Sequence, residues 1–149
     1  MSVDADWTFS VHDDVPGADA DVVDAGLGVA NDAAAPLHEV RRLAAFVRAS
    51  DGTLIGGAVG RTWGTCCELQ QLWVDAAWRR RGLGACLVRA FEQRAQQRGC
   101  VTFYLETFSF QAPSLYRGLG YVERLAIDGF APGIRKFTMV RELARADAP

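Results

Sequence analysis

The feature that most constrains this chain is Arg79-Arg80-Arg81-Gly82-Leu83-Gly84, which lies between an apolar run and an amphipathic segment. The run before it, residues 69–74 (LQQLWV), is typical of a buried strand, and residues 82–98 have the spacing of a helix. The apolar stripe of this predicted helix consists of Leu83, Leu87, Phe91 and Ala95. Two glycines at a helix start leave backbone N–H groups uncovered, the helix dipole attracts anions there, and arginines supply donors suited to phosphate oxygens. The sequence therefore predicts a strand, a basic glycine turn and a helix that together bind a pyrophosphate.

Length, composition and charge favour one globular domain over residues 1–149, with a frayed end from about residue 144. Of its residues 50% are hydrophobic and 23% are charged, as expected for a folded domain. The formal net charge is −2, so it favours neither a nucleic acid nor an anionic membrane as a partner. The acidic segment of residues 1–14 is unlike a signal peptide, and no apolar run could span a membrane. We expect a cytoplasmic protein.

The cysteines and histidines have no spacing typical of a metal site. The chain has four cysteines: Cys66, Cys67, Cys86 and Cys100. The adjacent Cys66 and Cys67 should point to opposite faces of a strand, and Cys86 falls on the apolar face of the predicted helix. We expect reduced, buried or half-buried thiols, no bound metal, and both histidines, His12 and His38, at the surface.

Apolar periodicity and turn residues predict the remaining elements. Asp51-Gly52 between two apolar runs is typical of a hairpin turn, Gly99 would end the long helix, and Pro113 would begin a short one. The predicted helices are residues 18–31, 82–98 and 111–119. The predicted strands are residues 7–11, 41–49, 53–63, 66–75, 101–108, 121–127 and 135–143. One α+β domain results, with a sheet of roughly six or seven strands.

Two segments in this order resemble the GNAT superfamily of acyl-CoA-dependent N-acetyltransferases. Residues 79–84 fit the superfamily's pattern of Gln or Arg, two residues, Gly, one residue, and Gly or Ala. Residues 105–121 (LETFSFQAPSLYRGLGY) are similar to the fifth-strand and fourth-helix segment of a bacterial branch. The likeness covers roughly residues 40–143. It implies an N-acetyltransferase with a three-layer α/β/α fold, in which a mixed, mostly antiparallel sheet is combined with about three to four helices.

The resemblance implies acetyl-CoA as the cosubstrate and places its pyrophosphate on the turn at the start of the long helix. On the preceding strand, Leu72 and Val74 would offer backbone hydrogen bonds to the pantetheine arm, and the Leu72 N–H would face the thioester carbonyl. Ser109 stands where many members carry an asparagine that helps to hold the cofactor. The cofactor-binding residues predicted in this way are Leu72, Trp73, Val74, Arg79, Arg80, Arg81, Gly82, Leu83, Gly84, Ala85 and Ser109.

The resemblance also implies an acid and a base. Tyr116 matches the tyrosine that protonates the departing thiolate in many relatives, and a phenol with a pKa of about 10 keeps its proton at neutral pH. An ammonium acceptor with a pKa of about 10.4 must lose a proton before it attacks. Some members place a glutamate base where Glu68 lies, four residues before Leu72, a step that keeps the same face of a regular strand. Glu68, Glu106 or a chain of waters could therefore serve as the base.

The acceptor site of this superfamily lies at the first helix region and the loop between the last two strands. These correspond to residues 27–31 and 129–134, which are apolar or small and contain few carboxylates. The resemblance therefore implies a small, partly apolar amine as the acceptor. Two alternatives stay open: a peptide or protein N-acetyltransferase, and a sensor that binds acyl-CoA without turnover. Many relatives form dimers by pairing the exposed strands of two copies, so the resemblance also makes a homodimer possible here.

Overall fold

The computed structural model describes residues 7–144. Contacts between residues divide the chain into two units, one up to His38 and one from Glu39 onward, and the single domain stays a prediction. In the first unit, helix α1 (Gly17–Ala34) extends the predicted helix at both ends. The predicted strand at residues 7–11 is wrong, because no neighbouring strand pairs with this backbone; Trp7 and Phe9 instead contact each other edge to face, with centroids 5.1 Å apart. The predicted frayed end lies almost entirely outside the described residues.

The second unit contains a six-stranded sheet and two helices. The strands are β1 (Arg41–Arg48), β2 (Leu54–Trp63), β3 (Cys66–Val74), β4 (Thr102–Phe108), β5 (Val122–Ile127) and β6 (Lys136–Glu142). The helices are α2 (Leu83–Gln97) and α3 (Pro113–Gly118). The strand order is β1-β2-β3-β4-β6-β5, and β3 with β4 is the parallel pair among antiparallel ones. The prediction of an α+β fold with a mixed, mostly antiparallel sheet is confirmed.

Predicted turns and helix ends lie where the local sequence placed them. Thr53 N donates to Asp51 Oδ1 at 2.9 Å and Gly52 has a φ of 88°, which makes the hairpin between β1 and β2. Gly99 has a φ of 93° and directly follows Arg98, the C-cap residue of α2. Pro113 is the first residue of α3, where its missing N–H costs no hydrogen bond. The observed elements therefore differ from the predicted ones by only one or two residues at most ends.

Helix α2 covers the core face of the sheet. Its buried side chains include Leu87, Phe91 and Ala95 of the predicted stripe, and also Glu92. Cys86 is exposed, so its predicted position on the apolar face is wrong; the buried stripe passes to one side of it. Cys67 and Cys100 are buried as predicted. Cys66 is exposed, against the prediction, because it points to the face of β3 opposite to that of Cys67.

Strand β3 contains a bulge that changes which residues share a face. Val59 pairs with Gln71 but Gly60 pairs with Leu69, so Gln70 is an extra residue on β3. Beyond the bulge, Leu72 and Val74 pair with Ala58 and Gly56 and share the core face with Leu69. The side-chain alternation therefore shifts by one residue within this strand.

Candidate active site

Strands β3 and β4 separate beyond the bulge and leave an open gap, called here the β3–β4 gap. The parallel pairing ends at Leu69 with Leu105, although β3 continues to Val74 and β4 continues to Phe108. A cavity of about 600 Å³ occupies this gap. It is lined by Leu69, Gln70, Gln71, Leu72, Trp73, Val74, Arg79, Gly84, Leu105, Glu106, Thr107, Phe110, Gln111, Ala112, Leu115 and Tyr116. Its volume lies within the range of small-molecule sites.

The backbone amides of Leu72 and Val74 point into the gap. Asp75 N donates to Ile55 O of β2 at 2.8 Å, and successive amides of a strand alternate between its two sides. The amides of Val74 and Leu72 therefore point away from β2, toward the side where β4 has separated. These are the two residues that the resemblance assigned to the pantetheine arm.

The basic glycine turn leads directly into the start of α2. Gly82 has a φ of 78° at the N-cap and provides no side chain to cap the helix. The first backbone hydrogen bond runs from Cys86 N to Gly82 O at 3.1 Å, so the amides of Leu83, Gly84 and Ala85 precede it. This end of α2 therefore offers free N–H donors beside the positive end of the helix dipole.

The three arginines of the turn take different positions. Arg79 lines the cavity, and its Nε donates to Val74 O at 3.0 Å, which holds the guanidinium at the end of β3. Arg81 lies over the ring of Trp78 at 4.8 Å from the centroid. Arg80 has a φ of 60°, in the left-handed region that non-glycine residues seldom adopt. Only Arg79 of these three lines the cavity.

Tyr116 reaches the cavity from α3. Its side chain is 7% exposed, and burial raises the pKa of its hydroxyl. A raised pKa keeps the phenol protonated, which is the form an acid needs. The structure thus brings Tyr116 together with Leu72, Val74, Arg79 and Gly84 around one cavity.

Glu68 and Leu72 lie on opposite faces of β3, so the prediction that they share a face is wrong. Because Gln70 is an extra residue between them, Glu68 pairs with Arg61 on the face opposite to Leu72. Its carboxylate accepts from Arg61 Nε at 2.8 Å, and Glu68 does not line the cavity. The carboxylate that lines it is Glu106, whose Oε2 lies 2.8 Å from Lys136 Nζ.

Ser109 does not line the cavity either. Its hydroxyl accepts a hydrogen bond from Arg135 N at 3.0 Å, and its own N–H donates to Arg135 O at 2.8 Å. Ser109 therefore joins the end of β4 to the segment before β6, and its predicted contact with the cofactor receives no support from its position.

Several cavity residues were not predicted from the sequence. Gln111 Oε1 accepts from Phe108 N at 2.8 Å and from Thr107 Oγ1 at 3.3 Å, so Gln111 fixes the end of β4 beside the cavity. Gln70 and Gln71 line the cavity because of the bulge. Gln111 lies within the segment that carries the resemblance, which was the available signal for it.

His12 and His38 are exposed as expected. Within residues 7–144 no three His, Cys, Asp or Glu side chains are grouped so as to hold a metal ion. Over the same residues, no helix combines the length and apolar character needed to cross a membrane.

Three comparisons with known proteins agree with this geometry. The model of the Acetyltransferase (GNAT) family matches residues 20–121. Blasticidin-S acetyltransferase of Streptomyces morookaense is 38% identical over 112 residues, which cover 72% of this chain and 82% of that protein. An acetyltransferase from Bacillus cereus has the same fold, with a TM-score of 0.77 at 23% identity, over 90% of this chain and 98% of that one.

A second solved structure resembles the fold at lower similarity. An aminoglycoside 6'-N-acetyltransferase complexed with coenzyme A gives a TM-score of 0.60 at 21% identity, over 68% of this chain and 72% of that one. The glycine turn, the open gap and the family match agree with one another. This chain is an acyltransferase that belongs to the GNAT acetyltransferase family.

Proposed function

We propose that this chain transfers the acetyl group of acetyl-CoA to the primary amine of a small molecule. The observation that carries the proposal is the cavity in the β3–β4 gap, which extends from Arg79 and Gly84 at the start of α2 to Tyr116 and Glu106. The basic end of the glycine turn, the unpaired part of β3 and Tyr116 lie along this one path. The family uses acetyl-CoA, and the Streptomyces relative is named an acetyltransferase.

The residues present fit the parts of acetyl-CoA. The first amides of α2 and the guanidinium of Arg79 would hold the pyrophosphate. The amides of Leu72 and Val74 face the gap, where β4 offers them no hydrogen-bond acceptors. They would bind the carbonyl groups of the pantetheine arm instead. When bound, acetyl-CoA supplies an acetyl group activated as a thioester.

Leu72 and Tyr116 would assist the transfer at two different atoms. The Leu72 N–H can donate to the negative charge that develops on a carbonyl oxygen, and such a donor contributes about 3 kcal/mol in a water-poor site. Tyr116 holds its proton because burial raises its pKa, and it can give that proton to a departing thiolate. Because an ordinary thiol has a pKa of about 8.5, below that of the phenol, this proton transfer is uphill. The contribution of Tyr116 therefore depends on its hydroxyl lying close to the developing thiolate.

Glu106 is the carboxylate best placed to receive the amine. Among the described residues that line the cavity it is the one acidic side chain. It would attract an ammonium group and accept its proton, directly or through water, before the amine attacks. Its ion pair with Lys136 orients the carboxylate.

The name of the Streptomyces relative gives the first acceptor to test, blasticidin S. Exposed aromatic side chains near the cavity, Trp73 and Phe110, would contact the apolar part of such a molecule. The assignment of residues 27–31 and 129–134 to acceptor binding stays a prediction, as do the cytoplasmic location and the homodimer.

Two measurements test the proposal. Calorimetric titration should detect binding of acetyl-CoA but not of NAD, with ADP weaker than acetyl-CoA. Chromatographic measurement of released coenzyme A should then show turnover with blasticidin S above that with spermine or an unstructured peptide. Chromatography avoids thiol reagents, which would also react with the exposed Cys66 and Cys86.

The alternatives give different results in the same assays. Binding of acetyl-CoA with no coenzyme A release for any amine would indicate a sensor. A peptide as the best acceptor would indicate a peptide or protein N-acetyltransferase. Failure of acetyl-CoA to bind would refute the proposed function altogether.

A further inference from the structure

Glu92 is the acidic residue that is fully buried in the described part of the chain, and the chemistry proposed above does not use it. It lies on α2 and is 4% exposed. Tyr121 Oη donates to its Oε1 at 2.9 Å, and Arg141 Nη1 donates to its Oε2. Burial raises the pKa of Glu92, and the two donors act against that effect. Groups from α2, from the segment between α3 and β5, and from β6 therefore meet in one polar cluster.

Tyr121 connects this cluster to Tyr116. Its backbone N–H donates to Tyr116 O at 3.0 Å. The two rings contact edge to face, with centroids 5.9 Å apart and planes at 70°. The Tyr121 side chain is thus held at its hydroxyl by Glu92 and packs with its ring against Tyr116.

Arg141 supports the same corner from β6. Its guanidinium neutralises Glu92, which a buried carboxylate requires. Its side chain also packs against the turn at Gly120, where an added Cβ would lie 3.5 Å from Arg141 Nε. The turn that follows α3 is therefore held against α2 by the hydrogen bond from Tyr121 to Glu92 and by the ion pair between Arg141 and Glu92.

The helix that carries Glu92 is also the helix whose first amides would bind the pyrophosphate. From Leu83 to Glu92 the helix rises by about 13 Å, at 1.5 Å a residue. A helix of this length is rigid, so a side chain fixed to Glu92 has a fixed position relative to the start of α2. Local sequence does not provide this coupling, because Glu92 and Tyr121 are 29 residues apart.

We propose that Glu92 is a positioning residue, which through the hydroxyl of Tyr121 fixes the ring of Tyr116 relative to the cofactor-binding start of α2. The proposal rests on the proposed role of Tyr116 as the acid. A merely structural contact would change stability alone, whereas a positioning contact changes the rate through Tyr116. That difference can be measured.

The experiment is a double-mutant cycle between Tyr121→Phe and Tyr116→Phe. Tyr121→Phe removes one hydroxyl and keeps the ring that packs on Tyr116. We expect it to lower kcat about fivefold and to leave KM for acetyl-CoA within about twofold, because it disturbs the acid and not the pyrophosphate turn. In the Tyr116→Phe background the same change should alter kcat by less than about twofold, since no acid is left to position.

Thr62→Val is the matched control. Thr62 is a buried polar residue whose hydroxyl accepts from Arg98 Nη1 at 3.1 Å, just beyond the other end of α2. Its removal should lower the melting temperature by an amount similar to Tyr121→Phe and leave kcat within about twofold. If Tyr121→Phe does not fold, Glu92→Gln takes its place in both backgrounds, because Gln keeps the volume and replaces a charged acceptor by a neutral one.

The outcomes separate this proposal from the one it rests on. An equal loss of kcat in both backgrounds, or no loss in either, would refute the positioning role while Tyr116→Phe alone still lowers kcat. If Tyr116→Phe alone leaves kcat unchanged, both the acid and its positioning are refuted. A non-additive cycle with an unchanged KM supports the proposal.

Discussion

Gly60 of β2 pairs with Leu69 of β3 at the point where Gln70 is inserted into β3. A Cβ on Gly60 would lie 1.9 Å from the carbonyl oxygen of Glu68 and 2.9 Å from Cζ of Phe91. The absence of a side chain at this position lets β2, the bulged strand and α2 approach one another. The bulge in turn gives Leu72 and Val74 the register in which their amides face the β3–β4 gap.

Gly60→Ala should therefore destabilise the protein by about 2–4 kcal/mol or prevent folding, because backbone and a buried ring would both have to move. Chemical denaturation measures the change. Gly57→Ala is the matched control, because its Cβ would meet mainly the exposed side chain of Phe46 at 2.8 Å. That side chain can rotate away. If Gly57→Ala lowered the free energy of unfolding as much as Gly60→Ala does, this account would be contradicted.

Gly82→Ala should weaken acetyl-CoA binding without unfolding the protein. Its Cβ would meet nothing within 4 Å, but its φ of 78° costs a non-glycine residue about 1–2 kcal/mol. Relief of that strain would reorient the first amides of α2. Titration with acetyl-CoA measures the effect, which we expect to be about tenfold in affinity or more.

Gly99→Ala supplies the comparison at the other end of the same helix. Gly99 also has a positive φ, 93°, and open space around its Cβ position, so the strain should be similar. Affinity for acetyl-CoA should stay within about twofold of the parent. Equal weakening by both substitutions would mean that the turn at Gly82 has no special role in binding.

The pH dependence of turnover should reveal Tyr116. Since burial raises its pKa above the usual value of about 10, the protonated form persists to higher pH than for a free tyrosine. The alkaline loss of kcat attributable to this group should then have its midpoint above about pH 10. A midpoint below that value which disappears in Tyr116→Phe would contradict the effect of burial.

Glu106→Gln should lower kcat/KM for the amine more than Glu68→Gln does. Glu106 lines the cavity, whereas Glu68 lies on the other sheet face from Leu72 and is paired with Arg61. Loss of a general base typically lowers the rate by about 10²-fold or more. Steady-state kinetics at saturating acetyl-CoA compares the two variants, and a larger effect at Glu68 would restore it as the candidate base.

Thiol labelling should divide the four cysteines into two pairs. Cys66 and Cys86 are exposed, while Cys67 and Cys100 are buried. Burial raises the pKa of Cys67 to about 12, so almost none of it is the reactive thiolate at pH 8. Mass spectrometry after brief iodoacetamide treatment should find Cys66 and Cys86 modified first. Early modification of Cys67 would indicate that the core opens easily.

Local sequence determined the helix and turn positions of the second unit, because each depends on neighbouring residues. The apolar stripe of α2, the hairpin at Gly52 and the proline at the start of α3 have local causes, and all three are observed. The strand predicted at residues 7–11 failed because a strand requires a partner, and alternation within one segment cannot supply it. The resemblance likewise identified the glycine turn and Tyr116, whose patterns are contiguous in the chain.

Tertiary structure alone decided which residues face the cavity and which lie behind it. One inserted residue, Gln70, placed Glu68 and Leu72 on opposite faces, although a regular strand would have kept them on one face. Glu92, Tyr121 and Arg141 became one cluster only when α2, the segment between α3 and β5, and β6 packed together. Such relationships depend on strand register and on contacts between distant segments, and the periodicity of a single segment carries no information about either.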